Sequence, residues 1–309
     1  MNVYQKDYDG TVVKLTGGGV DYAWSNVAFD GDYICEIDMV VDQSDYIITC
    51  DVQGVETAGD GTGTLYTDPI DELEHFITTW LNTNSIYIND TSFAAAKVIT
   101  LARSWTFGGM IEGVITGKNI VNQMCNEMLA SYFFNTNGEF CLDIFSLSDT
   151  KTGLTNYDDQ DDVLRNSLRI EPEVDGLANK IKYWFKYNYP NYEYDGYDDI
   201  EDSASITSMG QTFPLDWEMN WVRDPTVAAS IAGWRLKETK YPFSKPQFKT
   251  KLHMLLNDLN DRITLTHYAG LSLPGYSTET LKIKELNIDL DELNVEVVAQ
   301  DEEQIYDNV

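Results

Sequence analysis

The sequence predicts an α+β protein that is mainly antiparallel β, with a small α+β domain inserted between two β-rich parts. Alternating apolar and polar residues recur near both ends of the chain, as half-buried strands require. Asp68-Pro69 and Asp224-Pro225 each place a capping side chain before a proline that fits the first helical position. Asn137-Gly138 lies between two apolar runs and predicts a hairpin with a type I′ turn.

These signals divide the 309 residues into three predicted parts. Residues 1–67 form a β-rich N-terminal segment. Residues 68–150 form the inserted α+β domain. Residues 151–309 form a C-terminal β domain with one helix at about residues 224–240.

The composition limits the classes of function that the protein can have. Acids number 51 and bases 21, which gives a net charge of −30, and 43% of the residues are hydrophobic. This hydrophobic fraction is enough for a sizeable core. A strongly acidic surface repels nucleic acid phosphate and anionic lipid. The charge argues against a nucleic-acid-binding protein, but it is compatible with a channel through which DNA passes without sticking.

The sequence also predicts the cellular compartment. Its apolar runs are too short to span a bilayer, and its first residues lack the charged and apolar regions of a signal peptide. We therefore expect a soluble protein without a membrane anchor, made in a cytoplasm. Cys35, Cys50, Cys125 and Cys141 form no CxxC pair and are expected to be reduced, buried thiols. A Cys35–Cys50 or Cys125–Cys141 disulfide remains an alternative.

In the N-terminal segment, candidate strands at residues 11–15, 33–41 and 46–52 are separated by glycine-rich turns. The inserted domain then shows three helical stripes of apolar residues, followed by the hairpin. The first stripe is Ile70, Leu73, Ile77, Trp80 and Leu81; the second is Phe93, Ala96, Val98, Leu101 and Ala102; the third is Ile120, Val121, Met124, Met128 and Leu129.

The C-terminal part begins with a polar, acidic stretch at residues 151–162, which predicts a linker. A strand is predicted at residues 180–187. Residues 189–202 are crowded with Tyr, Asp and Glu, and this composition predicts a long, solvated loop.

The helix that begins at Asp224 should bury Val227, Ala228, Ile231 and Trp234. It is followed by predicted strands, which together form an antiparallel meander on the helix. The first strand places Phe248, Thr250, Leu252, Met254 and Leu256 on one face, and the others lie at residues 262–267, 281–288 and 294–298. Between the first two strands, residues 257–261 are rich in turn formers.

The order of these features resembles the tail hub, or tail-tip, proteins of long-tailed bacteriophages. The resemblance covers residues 45–300. The consecutive features are Asp51-Val52-Gln53-Gly54, the Gly/Thr stretch 59–64, Asp68-Pro69, Ser92-Phe93-Ala94-Ala95-Ala96, Asn137-Gly138, Leu177-Ala178-Asn179-Lys180-Ile181, Asp202-Ser203-Ala204-Ser205-Ile206, and Leu259-Asn260-Asp261-Arg262-Ile263-Thr264-Leu265-Thr266. In the family the last stretch is usually Leu-Gly-Asp-x-Val-x-Leu. Here Asn260 replaces the Gly, and Asn also tolerates left-handed geometry.

The resemblance implies a structural virion protein of the tail, with a tail-tube-like β-barrel domain and an insertion that decorates a ring. It implies a baseplate hub or tip component that forms a trimer. Its partners would be the tail tube or distal tail protein on one side and a central spike or fibre protein on the other, with DNA only passing through. It implies no catalytic residue and no cofactor.

The residues themselves indicate no enzyme or metal site. His75, His253 and His267 do not have zinc-ligand spacing, although His253 and His267 could face one another across adjacent strands. The acidic runs at residues 158–162 and 195–202 do not match a calcium-loop motif, and calcium remains only an alternative to a solvated loop. Neither a Gly-x-Ser-x-Gly elbow nor a His-Glu-x-x-His helix is present. A tail-associated hydrolase is therefore the less favoured interpretation.

Two groups of residues are candidates for contacts. Tyr189, Tyr192, Tyr194 and Tyr197 lie close together in the sequence, and tyrosine is favoured at protein interfaces and sugar sites. They could form an interface, or they could bind host-surface glycans, which is the alternative function. The turn acids Asp258 and Asp261 are the candidates for lining the lumen or rim of a ring.

Overall fold

The structure, a computed structural model, describes residues 2–6, 12–17, 19–29, 32–40, 47–51, 57, 63–111, 115–146, 154–174, 176–189, 191–269 and 275–301. In these ranges the chain is mixed α and β, and most of its regular structure is in sheets. The predicted α+β class is confirmed.

The described residues among the first 67 form a small sheet and a hairpin. The strands are β1 (Asn2–Lys6), β2 (Val12–Lys14), β3 (Tyr22–Phe29), β4 (Asp32–Met39) and β5 (Ile47–Asp51). The sheet has the order β2-β1-β5, and β3 pairs with β4 in the separate hairpin. The predicted strands at residues 11–15, 33–41 and 46–52 correspond to β2, β4 and β5. The sequence reasoning missed β1 and β3.

The next part of the chain is helical and ends in a hairpin, as predicted. Its elements are α1 (Pro69–His75), continued by a π-helical turn (Phe76–Trp80), then α2 (Asp90–Ala102), α3 (Gly117–Glu127), β6 (Ala130–Phe134) and β7 (Phe140–Ile144). The Asp68 carboxylate accepts the Ile70 N–H at 2.9 Å, which satisfies one of the free amides at the start of α1.

Two of the three predicted apolar stripes are only partly buried. Trp80 and Leu81 are exposed, because the π-helical turn that ends at Trp80 changes the helical period and rotates these residues away from the core. On α2, Val98 and Leu101 are exposed as well. Phe93, Ala96 and Thr100 form the buried stripe of that helix, and Val98 lies about 200° around the helix from Ala96.

The hairpin turn was predicted in the right place but with the wrong geometry. In this fully described turn, Gly138 has a φ of 77° and Asn137 is not among the residues with positive φ. A type I′ turn needs positive φ at both central residues. The Gly138 N–H donates instead to the Asn135 carbonyl at 2.9 Å, so the loop is one residue longer and Gly138 takes the left-handed position.

The following segment builds a three-stranded sheet against a long helix. Its elements are β8 (Asn156–Asp158), β9 (Arg169–Glu173), β10 (Lys180–Asn188), β11 (Glu193–Glu201), α4 (Ser203–Met209), β12 (Pro214–Glu218) and α5 (Pro225–Thr239). The sheet order is β11-β10-β12, and β12 runs parallel to β10. The helix α5 begins as predicted, since the Asp224 carboxylate accepts the N–H groups of Thr226 and Val227 at 2.7 and 3.2 Å.

Two predictions for this segment were wrong. The acidic stretch at residues 151–162 contains β8, which pairs parallel to a strand about a hundred residues later in the chain. Residues 189–202 do not form a long loop, because residues 193–201 are the strand β11, paired antiparallel with β10. Asn and Asp make up two of the three residues of β8, and β11 is rich in Asp and Glu. These residues are depleted in strands, so the pairing of both strands depends on their partners rather than on propensity.

A six-stranded sheet forms the rest of the described chain. Its other strands are β13 (Phe243–Lys251), β14 (Arg262–His267), β15 (Tyr276–Asp289) and β16 (Asn294–Asp301). The order is β8-β14-β15-β16-β13-β9. The predicted meander is confirmed for β14, β15 and β16, but β13 lies beside β16 and not beside β14. The prediction that the meander packs on the helix was wrong, because the buried residues of α5 share a core with β10 and β12, whereas this sheet has a separate core. In the described residues the sheet is open, with β8 and β9 at its edges. The tube-like barrel therefore stays a prediction.

The strand predicted to run through Leu256 ends earlier. Leu252–Leu256 is a 3₁₀ helix, in which Met254 is buried and Leu256 is 90% exposed. The reason is topological: β15 and β16 separate β13 from β14 in the sheet, so the chain must leave β13 and cross to reach β14.

The buried residues form two large clusters. The first contains the buried faces of α1, α2, α3 and the β6–β7 hairpin together with those of β10, β12 and α5. The second fills one face of the six-stranded sheet around Phe248, Leu281 and Val297. The helices of residues 68–150 thus share a core with residues 178–236. The three-part domain division stays a prediction.

Candidate interaction surface

The sheet β11-β10-β12 has one covered face and one open face. Ile181, Tyr183 and Phe185 of β10 are buried, and α5 packs on this side of the strand. Because side chains alternate along a strand, Lys180, Lys182, Trp184 and Lys186 point to the opposite face. Of the four tyrosines predicted from the sequence, Tyr197 lies on that outer face, opposite Trp184.

Ion pairs join β10 to β11 across the outer face. The Lys180 Nζ lies 3.0 Å from a Glu201 oxygen and 3.2 Å from an Asp199 oxygen, and the Lys186 Nζ lies 3.5 Å from an Asp195 oxygen. Each exposed pair contributes little to stability by itself. Together they bring opposite charges to the acidic strand, which explains why a segment so rich in Asp and Glu can pair as a strand.

An aromatic and cationic stack occupies the middle of the outer face. Trp184 pairs with Tyr197 across the two strands, and the Lys182 Nζ lies 4.7 Å from the Trp184 ring centroid and 5.3 Å from that of Tyr197. Tyr197 is 70% exposed. Aromatic rings that are apolar on their faces and polar at one end suit contacts with proteins or sugars.

The four predicted tyrosines do not act as one group. Tyr192, in the turn between β10 and β11, is 69% exposed like Tyr197. Tyr194 and Tyr189 face the protein instead: the Tyr194 hydroxyl donates to the Asn220 side-chain oxygen at 2.6 Å, and the Tyr189 hydroxyl accepts the Met110 N–H at 2.7 Å. Burial, with the nearby Glu218 carboxylate, raises the pKa of Tyr194.

Sequence reasoning missed a buried carboxylate below this hairpin. Glu127, at the end of α3, is 1% exposed, and its two oxygens accept the N–H groups of Asn220 and Trp221 at 2.8 and 2.9 Å. Burial raises the pKa of Glu127 to about 8, although the two amide donors act in the opposite direction. A signal was present, since Glu127 follows Met124 by three residues and therefore lies on the apolar stripe of the helix.

Glu127 fixes the chain that follows β12, and this chain in turn supports the tyrosines. The Asn220 N–H donates to Glu127, and the Asn220 side-chain oxygen accepts a hydrogen bond from the Tyr194 hydroxyl. The carbonyl of Trp221 accepts the Gly108 N–H at 2.8 Å. The position of the β10–β11 hairpin therefore depends on the contact between Glu127 and Asn220, which lie 93 positions apart in the sequence.

The two turn acids lie between β14 and the hairpin β6–β7. Asp258 is half-buried and accepts the Thr136 N–H at 3.2 Å, and the Asp261 carboxylate accepts the Asp258 N–H at 2.8 Å. Asp258 thus links the turn to the β6–β7 hairpin, and Asp261 stabilises the turn itself. Their place at the lumen or rim of a ring stays a prediction.

The histidines do not face one another as the sequence suggested. The His253 Nε2 lies 3.1 Å from an Asp162 oxygen, and its ring stacks on Tyr157 with centroids 5.4 Å apart. His267 is buried at the end of β14, beside Ala269. Among the residues that the structure describes, no group of three or more His, Cys, Asp or Glu side chains has the arrangement of a metal site.

The cysteine alternatives are partly resolved. Cys125 and Cys141 are buried and free, so the Cys125–Cys141 disulfide was wrong. The side chains of Cys35 and Cys50 lie outside the described part of the chain.

Comparison with known proteins gave structural likeness only. No family model matches the chain, and no curated protein matches it. The structure is similar to a chain from the virion of a native gene transfer agent particle, at 11% identity and a TM-score of 0.47, covering 69% of this chain and 47% of that one. The present chain thus spans about half the length of that protein.

Two tail proteins are similar over nearly their whole length. The tail protein from Neisseria meningitidis MC58 has 11% identity and a TM-score of 0.47, with 97% of this chain and 91% of that chain covered. The 43 kDa tail protein of prophage MuSo2 from Shewanella oneidensis has 11% identity and a TM-score of 0.44, with 97% and 98% covered. All three scores describe a partial likeness of the chain trace.

In the described residues, no helix is both long and apolar enough to cross a membrane.

Proposed function

We propose that this chain is a structural subunit of a bacteriophage-type tail. In this proposal it is a homotrimeric hub or tip component of the virion that joins the tail tube, or a distal tail protein, to a central spike or fibre. DNA passes through the ring without being bound. The chain acts by assembly and needs no cofactor.

The turn before β14 is the observation that carries this proposal. The family motif places Gly where this chain has Asn260, and Asn260 has a φ of 65°, in the left-handed region where Gly and Asn are favoured. The Asn260 N–H donates to the Ile283 carbonyl at 2.9 Å, which ties the turn to β15. Ile263 and Leu265, which follow it, are fully buried. The position at which the family motif has Gly is therefore also the position at which this turn requires a residue that tolerates positive φ.

The charge supports the conduit part of the proposal. A net charge of −30 disfavours retention of a polyanion, whereas lysines along a channel would trap phosphates. The tube and the spike would then have to bind through local contacts rather than through the overall field.

Mass photometry of the purified chain, with a duplex DNA titration beside it, tests the proposal. We expect a trimer and no measurable affinity for duplex DNA at moderate salt. A chain that stays monomeric at micromolar concentration would contradict the hub assignment. Tight DNA binding would contradict the conduit. The same titration with a basic DNA-binding protein serves as the positive control.

The left-handed turn gives a separate prediction. Asn260→Val should lower the free energy of unfolding by about 1–2 kcal/mol, because a β-branched residue is strained at positive φ. Asn260→Gly should change it by less than about 0.5 kcal/mol, because Gly adopts this conformation without strain. Urea denaturation of the two variants measures the difference, and equal effects would show that the turn does not require left-handed geometry.

The outer face of β10 and β11 favours a second candidate function, the binding of host-surface glycans. The exposed Tyr197 and Tyr192, with Trp184 and Lys182, provide rings on which a sugar can stack. A glycan array with the wild-type chain and Tyr197→Ala separates the two functions. A monomer with glycan affinity that Tyr197→Ala abolishes would favour this candidate over the hub.

A further inference from the structure

The helix α2 is apolar on the side that faces solvent. Phe93, Ala96 and Thr100 are buried against the rest of the protein. On the opposite side of the helix, six residues are exposed and uncharged: Thr91, Ala94, Ala95, Val98, Leu101 and Ala102. These six residues are called the α2 face below. A helix that is apolar all round is covered on every side in a folded protein or an assembly, so the α2 face needs a partner.

The charged side chains of α2 do not interrupt this face. Asp90 is the first residue of the helix, and Lys97 is directed to α1, where its Nζ lies 2.5 Å from an Asp71 oxygen. The exposed positions 91, 94, 98 and 101 repeat with the spacing of three and four residues by which a helix forms a continuous apolar seam with a neighbouring chain. The α2 face therefore has the pattern of an interface.

The exposed apolar surface continues beyond the start of α2. Ile86 and Tyr87, just before the helix, are exposed, and so is Phe134 of β6. The Phe134 ring packs edge-on against Phe140 with centroids 5.6 Å apart, and Phe140 packs against Phe93 of α2 with centroids 6.1 Å apart. Single exposed apolar side chains are ordinary on a protein surface, whereas a connected group of them marks an interaction site.

The segment around α2 is also neutral in an acidic protein. Residues 76–138 contain three acids and three bases, so their net charge is zero, whereas the whole chain carries −30. The other residues therefore carry the entire excess of acid. Two copies that approach through their acidic surfaces repel one another, and this repulsion is weakest where one of them presents no net charge.

We propose that the α2 face binds a second copy of this chain and forms the contact between neighbouring subunits of the oligomer. This inference rests on the proposed function, in which the chain is a homotrimer. Permanent contacts between identical chains are more apolar than other interfaces and resemble a domain core divided between two chains. A second copy is also synthesised together with this chain, so it covers the α2 face as soon as both copies have folded.

The contact lies away from the axis of the ring. A ring around a DNA path leaves no room for three helices on its axis, so the α2 face of one subunit packs on a different surface of the next. The α2 face spans about three helical turns, and a stable interface buries about 800 Å² on each partner. We therefore expect Ile86, Tyr87 and Phe134 to extend the contact. Residues 68–150 then lie between subunits, whereas the resemblance implies that they decorate the ring.

The test places charges on the α2 face. Val98→Glu/Leu101→Glu changes two exposed residues of this face, and Leu256→Glu/Leu290→Glu changes two exposed leucines elsewhere and lowers the net charge by the same amount. Mass photometry and sedimentation velocity measure the oligomer, and circular dichroism checks the fold. The milder variant Val98→Ser/Leu101→Ser decides the question if the glutamate variant does not fold.

We expect the glutamate variant of the α2 face to raise the dissociation constant of the oligomer by about 10–100-fold, because it places charges in an apolar contact. The serine variant should raise it by at least about fivefold, while the leucine control keeps its mass. The wild-type oligomer should persist or tighten as salt rises from low to moderate concentration, because salt screens the repulsion between acidic copies.

Three results would contradict the inference. A folded variant of the α2 face that assembles like the wild type would overturn it and leave the proposed hub intact. Dissociation of the wild type on adding salt would show that ion pairs, not an apolar face, hold the copies together. A wild-type monomer would overturn the hub assignment and the inference together.

The dye 1-anilinonaphthalene-8-sulfonate is the probe for a different occupant. We expect the wild-type oligomer to bind little dye, since the second copy covers the α2 face. If the wild-type oligomer binds the dye, the glutamate variant does not, and both have the same mass, the α2 face stays open in the oligomer. That result would overturn the assignment to a second copy and leave the face to a different protein.

Discussion

Replacing Glu127 by alanine is expected to lower the free energy of unfolding by about 3 kcal/mol, because two backbone N–H donors lose their only side-chain acceptor and a cavity remains. The donors belong to Asn220 and Trp221, and Trp221 is buried. Urea denaturation at neutral pH measures the loss. The Tyr194 contact should loosen as well, since its partner Asn220 is held by Glu127.

The same residue predicts a pH dependence of stability. In the unfolded chain a glutamate titrates near its ordinary value of 4.5, whereas burial raises the pKa of Glu127 in the folded chain to about 8. Between these values the folded state keeps a proton that the unfolded state has lost, so the free energy of unfolding falls as the pH rises. The contribution is complete below pH 4.5 and is lost as the pH passes 8.

Glu127→Gln is the matched control for this dependence. Glutamine keeps one acceptor oxygen and cannot ionise. The free energy of unfolding of the variant should therefore fall less steeply between pH 5 and pH 8 than that of the wild type. Some slope should remain, because burial and the nearby Asp68 also raise the pKa of Glu72 to about 8. Identical slopes in Glu127→Gln and the wild type would contradict the role of Glu127.

The second large effect is expected at Trp105, not at Trp234. Trp105 is 2% exposed, and its indole N–H donates to the Ser230 hydroxyl at 3.0 Å. Trp105→Ala should therefore cost about 3–5 kcal/mol, the range for truncating a buried aromatic residue. Trp234, predicted from the sequence to be buried, is only partly buried.

Trp234→Ala should cost less, about 1–2 kcal/mol, mainly through the Arg103 guanidinium, which lies 3.7 Å from the Trp234 ring centroid. Trp80→Ala is the control, since Trp80 is largely exposed and should change stability by less than about 0.5 kcal/mol. Denaturation of the three variants under one condition ranks them. A larger loss for Trp234→Ala than for Trp105→Ala would show that Trp234, and not Trp105, is the more important packing residue.

The features predicted correctly depend on residues close together in the chain. The caps at Asp68 and Asp224 use amides two or three residues away, and the left-handed turn at Asn260 reflects the conformational range of one residue. The strands β10 and β14 were predicted because their alternation records which face is buried. The candidate surface was only half predicted: the sequence located its tyrosines, but it did not separate Tyr192 and Tyr197 from Tyr189 and Tyr194.

By itself, the sequence determined the α+β class, the start of both capped helices, the meander β14-β15-β16 and the acidic character of the protein. Only the tertiary structure decided that residues 193–201 form a strand, that β8 joins the sheet beside β14, and that Glu127 holds Asn220. The physical reason is the distance along the chain. Capping and turn signals depend on residues close together in the sequence, so they can be read from it. The contacts named above join distant segments, some of them with low strand propensity, and only packing in the folded chain brings these segments together.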